Sequence, residues 1–262
     1  MLSRLALRLA AFEALAPFAQ YGADEPVWPT LADGRVYDTA FAAFDDLSDK
    51  EGRPIVAVYT EKSAAETRSG AGGDLTPGTV ELAFELSVVR RAGQGVLTLD
   101  TDPAIEAHLD LLEAQVRHAL AEGESGAIFR NAGGLGVMSI TSEPYRSAEE
   151  ATRLASRSLT YSIRARADCY ASVAAGATGF DRLPQPLRAV AEALPEGSHG
   201  RLIAAQLAGL APSPMFGVPL AGVGLAIHAK SPPAAYAGEG DEPAVVADVA
   251  FPPPDPPPAG EG

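Results

Sequence analysis

Residues 79–89 read Thr-Val-Glu-Leu-Ala-Phe-Glu-Leu-Ser-Val-Val, with an apolar side chain at every even position. Because successive side chains of a β-strand point to opposite faces of a sheet, this pattern predicts a strand that buries one face. Residues 159–167 alternate in the same way. Their apolar set is Leu159, Tyr161, Ile163 and Ala165. We therefore predict two strands of one sheet, each with its polar side chains on the opposite face.

A helix is predicted over residues 102–120. Asp102 can cap its first turn, and Pro103 suits the first helical position. Glu113 precedes Arg117 by four residues, a spacing at which opposite charges stabilise a helix. The opposite side is an apolar stripe that consists of Ile105, Leu109, Leu112, Val116, Ala119 and Leu120.

The remaining N-terminal elements complete an α+β fold. The apolar run at 55–60 predicts a buried strand, and residues 137–141 predict a shorter one. The first helix is predicted to be amphipathic and to pack on the domain, because its large apolar residues are spaced as on one helix face: Leu2, Leu5, Leu9, Phe12 and Leu15. The predicted fold class is a mixed or antiparallel sheet flanked by helices, followed by a mostly helical C-terminal extension and a Pro-rich tail.

The chain changes character after Cys169. Helices are predicted over 186–194 and 198–210, and a short strand is possible over 223–229. From Ser231 onward the chain is rich in proline, which favours an extended conformation. The predicted divisions are an α/β domain over 1–169, a C-terminal extension over 170–230 and an extended tail over 231–262.

Composition excludes several classes of protein. Twenty Lys and Arg against 34 Asp and Glu give a net charge of −14, which disfavours a general nucleic-acid coat because phosphates are also anionic. A single cysteine, Cys169, excludes an internal disulfide framework and a cysteine-based zinc site. The four histidines, which lack metal-ligand spacing, are His108, His118, His199 and His228.

No catalytic constellation emerges from the sequence. The glycine clusters at 70–73 and 133–136 lack the strand-then-helix context of phosphate-binding loops. Glu81 and Glu85 lie about 13 Å apart on one strand face, wide even for an inverting glycosidase pair. We expect no catalytic residue, no cofactor and no metal.

The charged residues are instead candidates for a contact surface. Residues 145–157 are dense in both signs of charge, and we interpret them as a solvated helix or bend leading into a strand, or as a contact between subunits. Glu81 and Glu85 are expected to form cross-strand ion pairs with Arg164 and Arg166. The candidate interface residues are Glu81, Glu85, Arg146, Glu149, Arg153, Arg157, Arg164 and Arg166.

The order of elements and several short phrases resemble the tail terminator, or tail-completion, proteins of long-tailed phages and phage-like gene transfer agents. The resemblance covers about residues 1–170. It is carried by Leu5 to Leu15, Trp28-Pro29-Thr30, Asp45-Asp46-Leu47, Arg53 to Glu61, Val80 to Ser87, Leu109 to Arg117, Tyr145 to Glu150 and Arg153-Leu154.

The resemblance implies a structural virion protein with no active site and no cofactor. Six copies of a small α/β protomer would close a ring that caps the tail tube and joins it to the head-side connector or stopper. DNA would pass through the lumen of this ring. A negatively charged protein would let the DNA slide without sticking, because like charges repel. The protein would be assembled in the host cytoplasm and reside in the virion, at the neck of the tail, with no membrane partner. About 90 residues after Cys169 depart from the family pattern.

Three other functions remain open from the sequence. The chain could be another neck or tail component, such as a connector, a stopper or an accessory tail protein. It could be a small enzyme that uses Glu81, Glu85 or a histidine. It could be exported or membrane-associated through the first helix or the uncharged segment 202–227, although prolines and glycines interrupt that segment.

Overall fold

The computed structural model describes most of the N-terminal part of the chain. The described residues are 2–39, 54–64, 78–91, 102–132, 134–149, 152–170, 173 and 176–210. They all belong to one compact unit, Met1–Pro214. The possible strand at 223–229 and the Pro-rich tail at 231–262 lie outside the described residues.

The centre of the fold is a five-stranded mixed sheet. Its strands are β1 (Val36–Tyr37), β2 (Ile55–Ala64), β3 (Gly78–Arg91), β4 (Gly134–Glu149) and β5 (Thr152–Ala165). Their spatial order is β1-β2-β3-β5-β4. β1 runs parallel to β2, and all other neighbours are antiparallel. The predicted α+β class with a mixed sheet is confirmed.

Helices pack against this sheet. They are α1 (Ser3–Leu15), α2 (Asp102–Ala121), α3 (Ala127–Asn131), α4 (Leu187–Ala193) and α5 (His199–Leu210). Short 3₁₀ turns occur at Phe18–Gln20, Glu124–Gly126 and Gly179–Arg182. The predicted helices over 102–120, 186–194 and 198–210 are confirmed with small shifts of their ends.

One face of the sheet forms the main core. The even-numbered apolar residues of β3, from Val80 to Val88, are buried, and so is the whole apolar stripe of α2. Phe84 of β3 and Tyr161 of β5 meet edge to face, with ring centroids 5.3 Å apart. The alternation in β3 and β5 therefore specifies which face receives the helices.

The first helix forms and packs on the domain as predicted, but it is buried on more than one side. Most of α1 is buried, including Glu13 and four alanines, whereas Leu5 of the predicted stripe is partly exposed. The small alanine side chains at positions 6, 10, 11 and 14 let neighbouring elements approach α1 from several sides. α1 is thus a central helix that contacts β2, α2, α3 and α4, and not a one-sided amphipathic helix.

A distant carboxylate fixes the start of α1. The Asp168 side chain accepts hydrogen bonds from the backbone N–H groups of Leu2 and Ser3, at 2.6 and 2.7 Å. These two donors have no partner within the helix, and a negative charge is favourable beside a helix N-terminus. Asp168 lies three residues after the end of β5, so this contact links the end of that strand to the start of α1.

The helices after Cys169 join the same compact unit. α4 and α5 both contact α1. Ser198 caps α5, since its hydroxyl accepts a hydrogen bond from the Arg201 N–H at 3.4 Å. The Arg201 guanidinium donates to the Leu194 carbonyl at 2.8 Å and lies 5.4 Å from the Phe180 ring centroid. The described part of the predicted extension is therefore packed into the core and not appended to it.

The described residues of the charged stretch, 145–149 and 152–157, form strands and not the predicted helix or bend. They form the far end of β4 and of β5, which pair in register as far as Glu149 opposite Thr152. β4 is also much longer than the predicted strand at 137–141, with 16 residues. Polar side chains dominate this hairpin, so the sequence shows no apolar alternation that would predict its full length. β5 pairs with β3 along residues 78–91 of β3, which accounts for the length of β5.

Candidate interaction surface

The face of the sheet opposite the main core carries several of the candidate residues. Glu81 lies opposite Ser162 on β5 and Lys62 on β2, while Glu85 lies opposite Ser158 and Ala57. Directly opposed residues share a face, so these positions define one surface, which we call the polar face. On the neighbouring β5 and β4 it continues as Ser156, Ser158, Thr160, Ser162 and Arg164, then Ser139, Thr141, Glu143 and Tyr145.

The polar face has an apolar corner at β1 and β2. Ile55 and Ala57 are buried there, with Tyr37 and Tyr59 packed against them. This small cluster is separate from the main core, and none of its described members belongs to a helix.

Negative charge gathers beside this corner. Burial raises the pKa of Glu85, and the nearby charge of Glu61 raises it further. Burial also raises the pKa of Tyr59, and the negative charges of Glu85 and, to a smaller extent, Glu61 raise it further. Glu61 falls where the register of β2 shifts between Thr60 and Lys62, which brings an extra carboxylate to this part of the sheet. The surface disfavours anions here.

The expected ion pairs of Glu81 and Glu85 with Arg164 and Arg166 do not form among the described residues. Arg164 lies opposite Thr79, one pair further along the same face than Glu81. Arg166 follows the last residue of β5 and is exposed. The prediction of these pairs was wrong, because strand polarity and register place Ser158 and Ser162, and not arginines, opposite the two carboxylates.

Three candidates lie at the far end of the β4–β5 hairpin. Arg146 pairs with Ala155, Glu149 with Thr152, and Arg153 with Ala148 on one side and Arg90 on the other. Among the described residues β2 pairs with β3 no further than Ser87, so the described part of β3 and the hairpin extends past the described part of β2. The sheet thus brings these three positions together and away from Glu81.

Arg157 occupies the other face of the sheet. It lies opposite Leu86, on the side that receives α2. Its guanidinium donates to Asp110 at 2.6 Å, to Glu113 at 3.0 Å and to Glu106 at 3.4 Å. With a side chain 13% exposed, Arg157 already uses its charge inside the chain, which leaves little of it for a partner.

The acidic row of α2 is matched to this arginine. Burial of Glu113 opposes its ionisation, but hydrogen bonds from Ser142, Arg157 and Arg117 outweigh burial and hold the pKa of Glu113 below its usual range. Burial likewise opposes the charge of Arg157, but hydrogen bonds to Asp110 and Glu113 raise the pKa of Arg157. The Glu113–Arg117 pair predicted from the helix spacing is confirmed, at 2.6 Å.

Removal of Arg157 should destabilise the fold. In Arg157→Met, Glu106, Asp110 and Glu113 face one another without their shared cation, and we expect a loss of about 1–3 kcal/mol at pH 7, reduced from the fully buried case because Asp110 is exposed. The lowered pKa of Glu113 contributes stability above its unfolded value of 4.5, and this contribution disappears as pH falls through the folded value. Urea unfolding should therefore show a difference between wild type and variant that shrinks on acidification.

The matched control is Arg188→Met. Arg188 also pairs with two carboxylates, Asp181 and Glu192, but at the surface. Exposed pairs contribute little, so this variant should unfold almost like the wild type. Equal destabilisation by the two substitutions at all pH values would contradict the role given to Arg157.

The outer edge of β4 is a feature that sequence reasoning missed. β4 is the last strand of the sheet, and within the described residues nothing pairs with its outer side. Val137 and Met138 lie on it at a register shift, with 47% and 54% of their surface exposed. Tyr145, further along, is 59% exposed. An unpaired edge strand is a template for pairing with another chain.

The described histidines have ordinary structural roles. His108 and His118 are exposed on α2. His199 Nε2 lies 2.9 Å from a carboxylate oxygen of Asp38, and its ring is tilted against that of Phe12, with centroids 5.0 Å apart. Within the described ranges, no group of three or more His, Cys, Asp or Glu side chains is placed to hold a metal ion.

The described helices also bear on the membrane alternative. None of them is long and apolar enough to cross a membrane. Residues 202–210 of the uncharged segment belong to α5, and the rest of that segment lies outside the described residues.

Comparison of the chain with family models and with curated proteins finds no match.

Proposed function

We propose that the chain is a structural protein of the phage neck, of the tail terminator type, which assembles as a ring on the end of the tail tube. The observation that carries the proposal is a sheet whose 16-residue edge strand, β4, has no partner on its outer side among the described residues, and which has a polar face on the side away from the core helices. The mixed sheet with packed helices is also the architecture that the resemblance implies.

A ring needs two different surfaces that fit each other. Head-to-tail contacts close into a ring when the rotation between copies is right. β4 offers one edge. At the other end of the sheet, β1 pairs with Val56 and Ala57 alone, so residues 58–64 of β2 have no strand on that side within the described part of the chain. Pairing of β4 with β2 of the next copy would continue the sheet from protomer to protomer.

The polar face suits the lumen of such a ring. Serine and threonine side chains dominate it, and its charged positions give an excess of negative charge: Glu61, Glu81, Glu85 and Glu143 against Lys62 and Arg164. Like charges repel, so DNA in transit would meet a wall whose net negative charge does not hold it. The partners are further copies of the chain, the tail tube protein and the head-side connector or stopper.

Electron microscopy of the purified chain tests the proposal. The chain is imaged in negative stain at high concentration, alone and with purified tails. Closed rings, or added density at one end of the tube, are the expected result. A monomer that also fails to bind the tubes would contradict the terminator role and favour a different neck component.

A pair of substitutions tests whether the β4 edge closes the ring. Met138→Lys places a charge on the exposed edge and should abolish rings, because charged edge residues block strand pairing. Leu202→Lys on α5 is the matched control, since Leu202 is 56% exposed against 54% for Met138. Rings are counted in micrographs at equal concentration. Rings from the Met138 variant, or their loss in the control alone, would rule out the β4 edge.

A further inference from the structure

A cavity of about 460 Å³ opens between α1, α2, α3 and β4. Its walls are mostly apolar and include Leu7, Leu120, Phe129, Ile140 and Ile163. The volume lies within the range of small-molecule sites, which are typically apolar with a few placed polar groups. None of the named lining residues belongs to the polar face.

Two guanidinium groups belong to the lining, those of Arg117 and Arg130. Arg117 directs its Nε and one terminal nitrogen at Glu113. Arg130 is held differently: its Nη1 donates to the Gly123 carbonyl at 2.9 Å and to the Leu120 carbonyl at 3.3 Å. Within the described residues no carboxylate pairs with Arg130, and a guanidinium has five donors. Arg130 is exposed and also lines the cavity, so it brings a positive charge to a part of the wall that solvent reaches.

A third polar group comes from the sheet. Tyr161 lines the cavity and is 4% exposed. Burial raises the pKa of Tyr161 to about 12, with smaller opposing effects of Arg117 and Glu113. Its hydroxyl group therefore stays protonated at neutral pH and can donate a hydrogen bond.

We propose that this cavity binds a small amphipathic monocarboxylate, with its apolar body against Ile140 and Ile163 and its carboxylate on Arg130. Apolar walls reward an aliphatic or aromatic body through loss of hydrated surface. A planar guanidinium matches the geometry of a carboxylate, and the Tyr161 hydroxyl adds a donor. A neutral apolar ligand would leave the cation unused. The proposal does not rest on the proposed function, although Val137 of the β4 edge also lines the cavity.

Titration calorimetry with straight-chain carboxylates tests the site on the full chain. Hexanoate, octanoate and decanoate are compared below their micelle concentrations. We expect each added methylene to tighten the Kd by up to about fourfold until the cavity is full. The neutral 1-octanol should bind at least tenfold more weakly than octanoate, because it lacks the charge that Arg130 recognises.

Substitutions assign the binding to this cavity. Arg130→Gln should weaken octanoate about tenfold and leave 1-octanol unchanged. Arg201→Gln is the matched control, because Arg201 also donates to a carbonyl at a helix end, that of Leu194, but does not line the cavity. Ala121→Trp, at the exposed end of α2, adds bulk at the lining and should weaken every member of the series.

Circular dichroism first confirms that each variant is folded. No heat of binding for decanoate would overturn the proposal. So would equal losses in the Arg130 and Arg201 variants, equal affinities of octanoate and 1-octanol, or unchanged binding in both folded Arg130→Gln and folded Ala121→Trp.

Discussion

Leu112→Asp should leave the chain unable to fold. Leu112 has no exposed surface and lies in the main core at the centre of the α2 stripe. The substitution removes most of a buried leucine, which costs about 2–5 kcal/mol, and adds a carboxylate with no partner in an apolar environment. A typical domain has about 5–15 kcal/mol of stability in total, so the two effects together consume most or all of it.

The neighbouring Leu111→Asp is the matched control. Leu111 is 48% exposed on the same helix, and a substitution at such a site changes stability by about 0.5 kcal/mol or less. Soluble yield, circular dichroism and elution volume are compared for the two variants. A folded Leu112 variant with wild-type stability would contradict the packing of α2 against the sheet.

The elements that bury a single face were the predictable ones. In β3 the even positions are apolar, and in α2 the apolar residues follow the helical period. Each pattern states both the type of the element and the side it buries, so β3, α2 and the inward set of β5 agree with the structure. The same reasoning gave the Glu113–Arg117 pair, because that contact lies within one helix.

Elements determined by their neighbours were harder to predict. α1 is buried on most sides, and the regular leucine spacing within it suggested one buried face. The outer half of β4 carries a proline at Pro144 and polar residues around it, which argue against a strand. Proline is tolerated on an edge strand, and β4 is an edge. The length of β4 follows from its pairing with β5, and the local sequence of the outer half of β4 does not predict a strand.

The candidate surface was located in part. The positions of Glu81 and Glu85 on a polar sheet face follow from their alternation and agree with the register. Arg157 was predicted to lie at an interface, although the sequence contains a pattern that indicates its position on the face that packs against α2. It has the same parity as the inward Leu159, and α2 offers acidic residues at 106, 110 and 113, which share one helix face. Extending the predicted strand at 159–167 back by two residues would have placed Arg157 on its inward face, opposite the acidic residues of α2.

Glu13→Gln should stabilise the protein at neutral pH and flatten its pH profile. Glu13 is 6% exposed in α1, and one carboxylate oxygen accepts the Phe18 N–H at 2.8 Å. Burial raises the pKa of Glu13 from 4.5 to about 7, although the Phe18 hydrogen bond lowers it. Between these two values the folded protein keeps a proton that the unfolded chain has lost. Stability therefore falls as pH rises across this window, by up to about 3 kcal/mol.

Glutamine removes the titration and keeps an oxygen that can accept the Phe18 N–H. The free energy of unfolding in urea, measured from pH 4.5 to 8, should therefore be similar for wild type and variant at the acid end and diverge toward pH 7. Above pH 7 the difference should stay constant, because Glu13 is then ionised in both states. Glu196→Gln, in an exposed turn before α5, is the control and should follow the wild type. Parallel profiles for wild type and Glu13→Gln would mean that Glu13 reaches water in the folded protein, and that α1 is less enclosed than its packing implies.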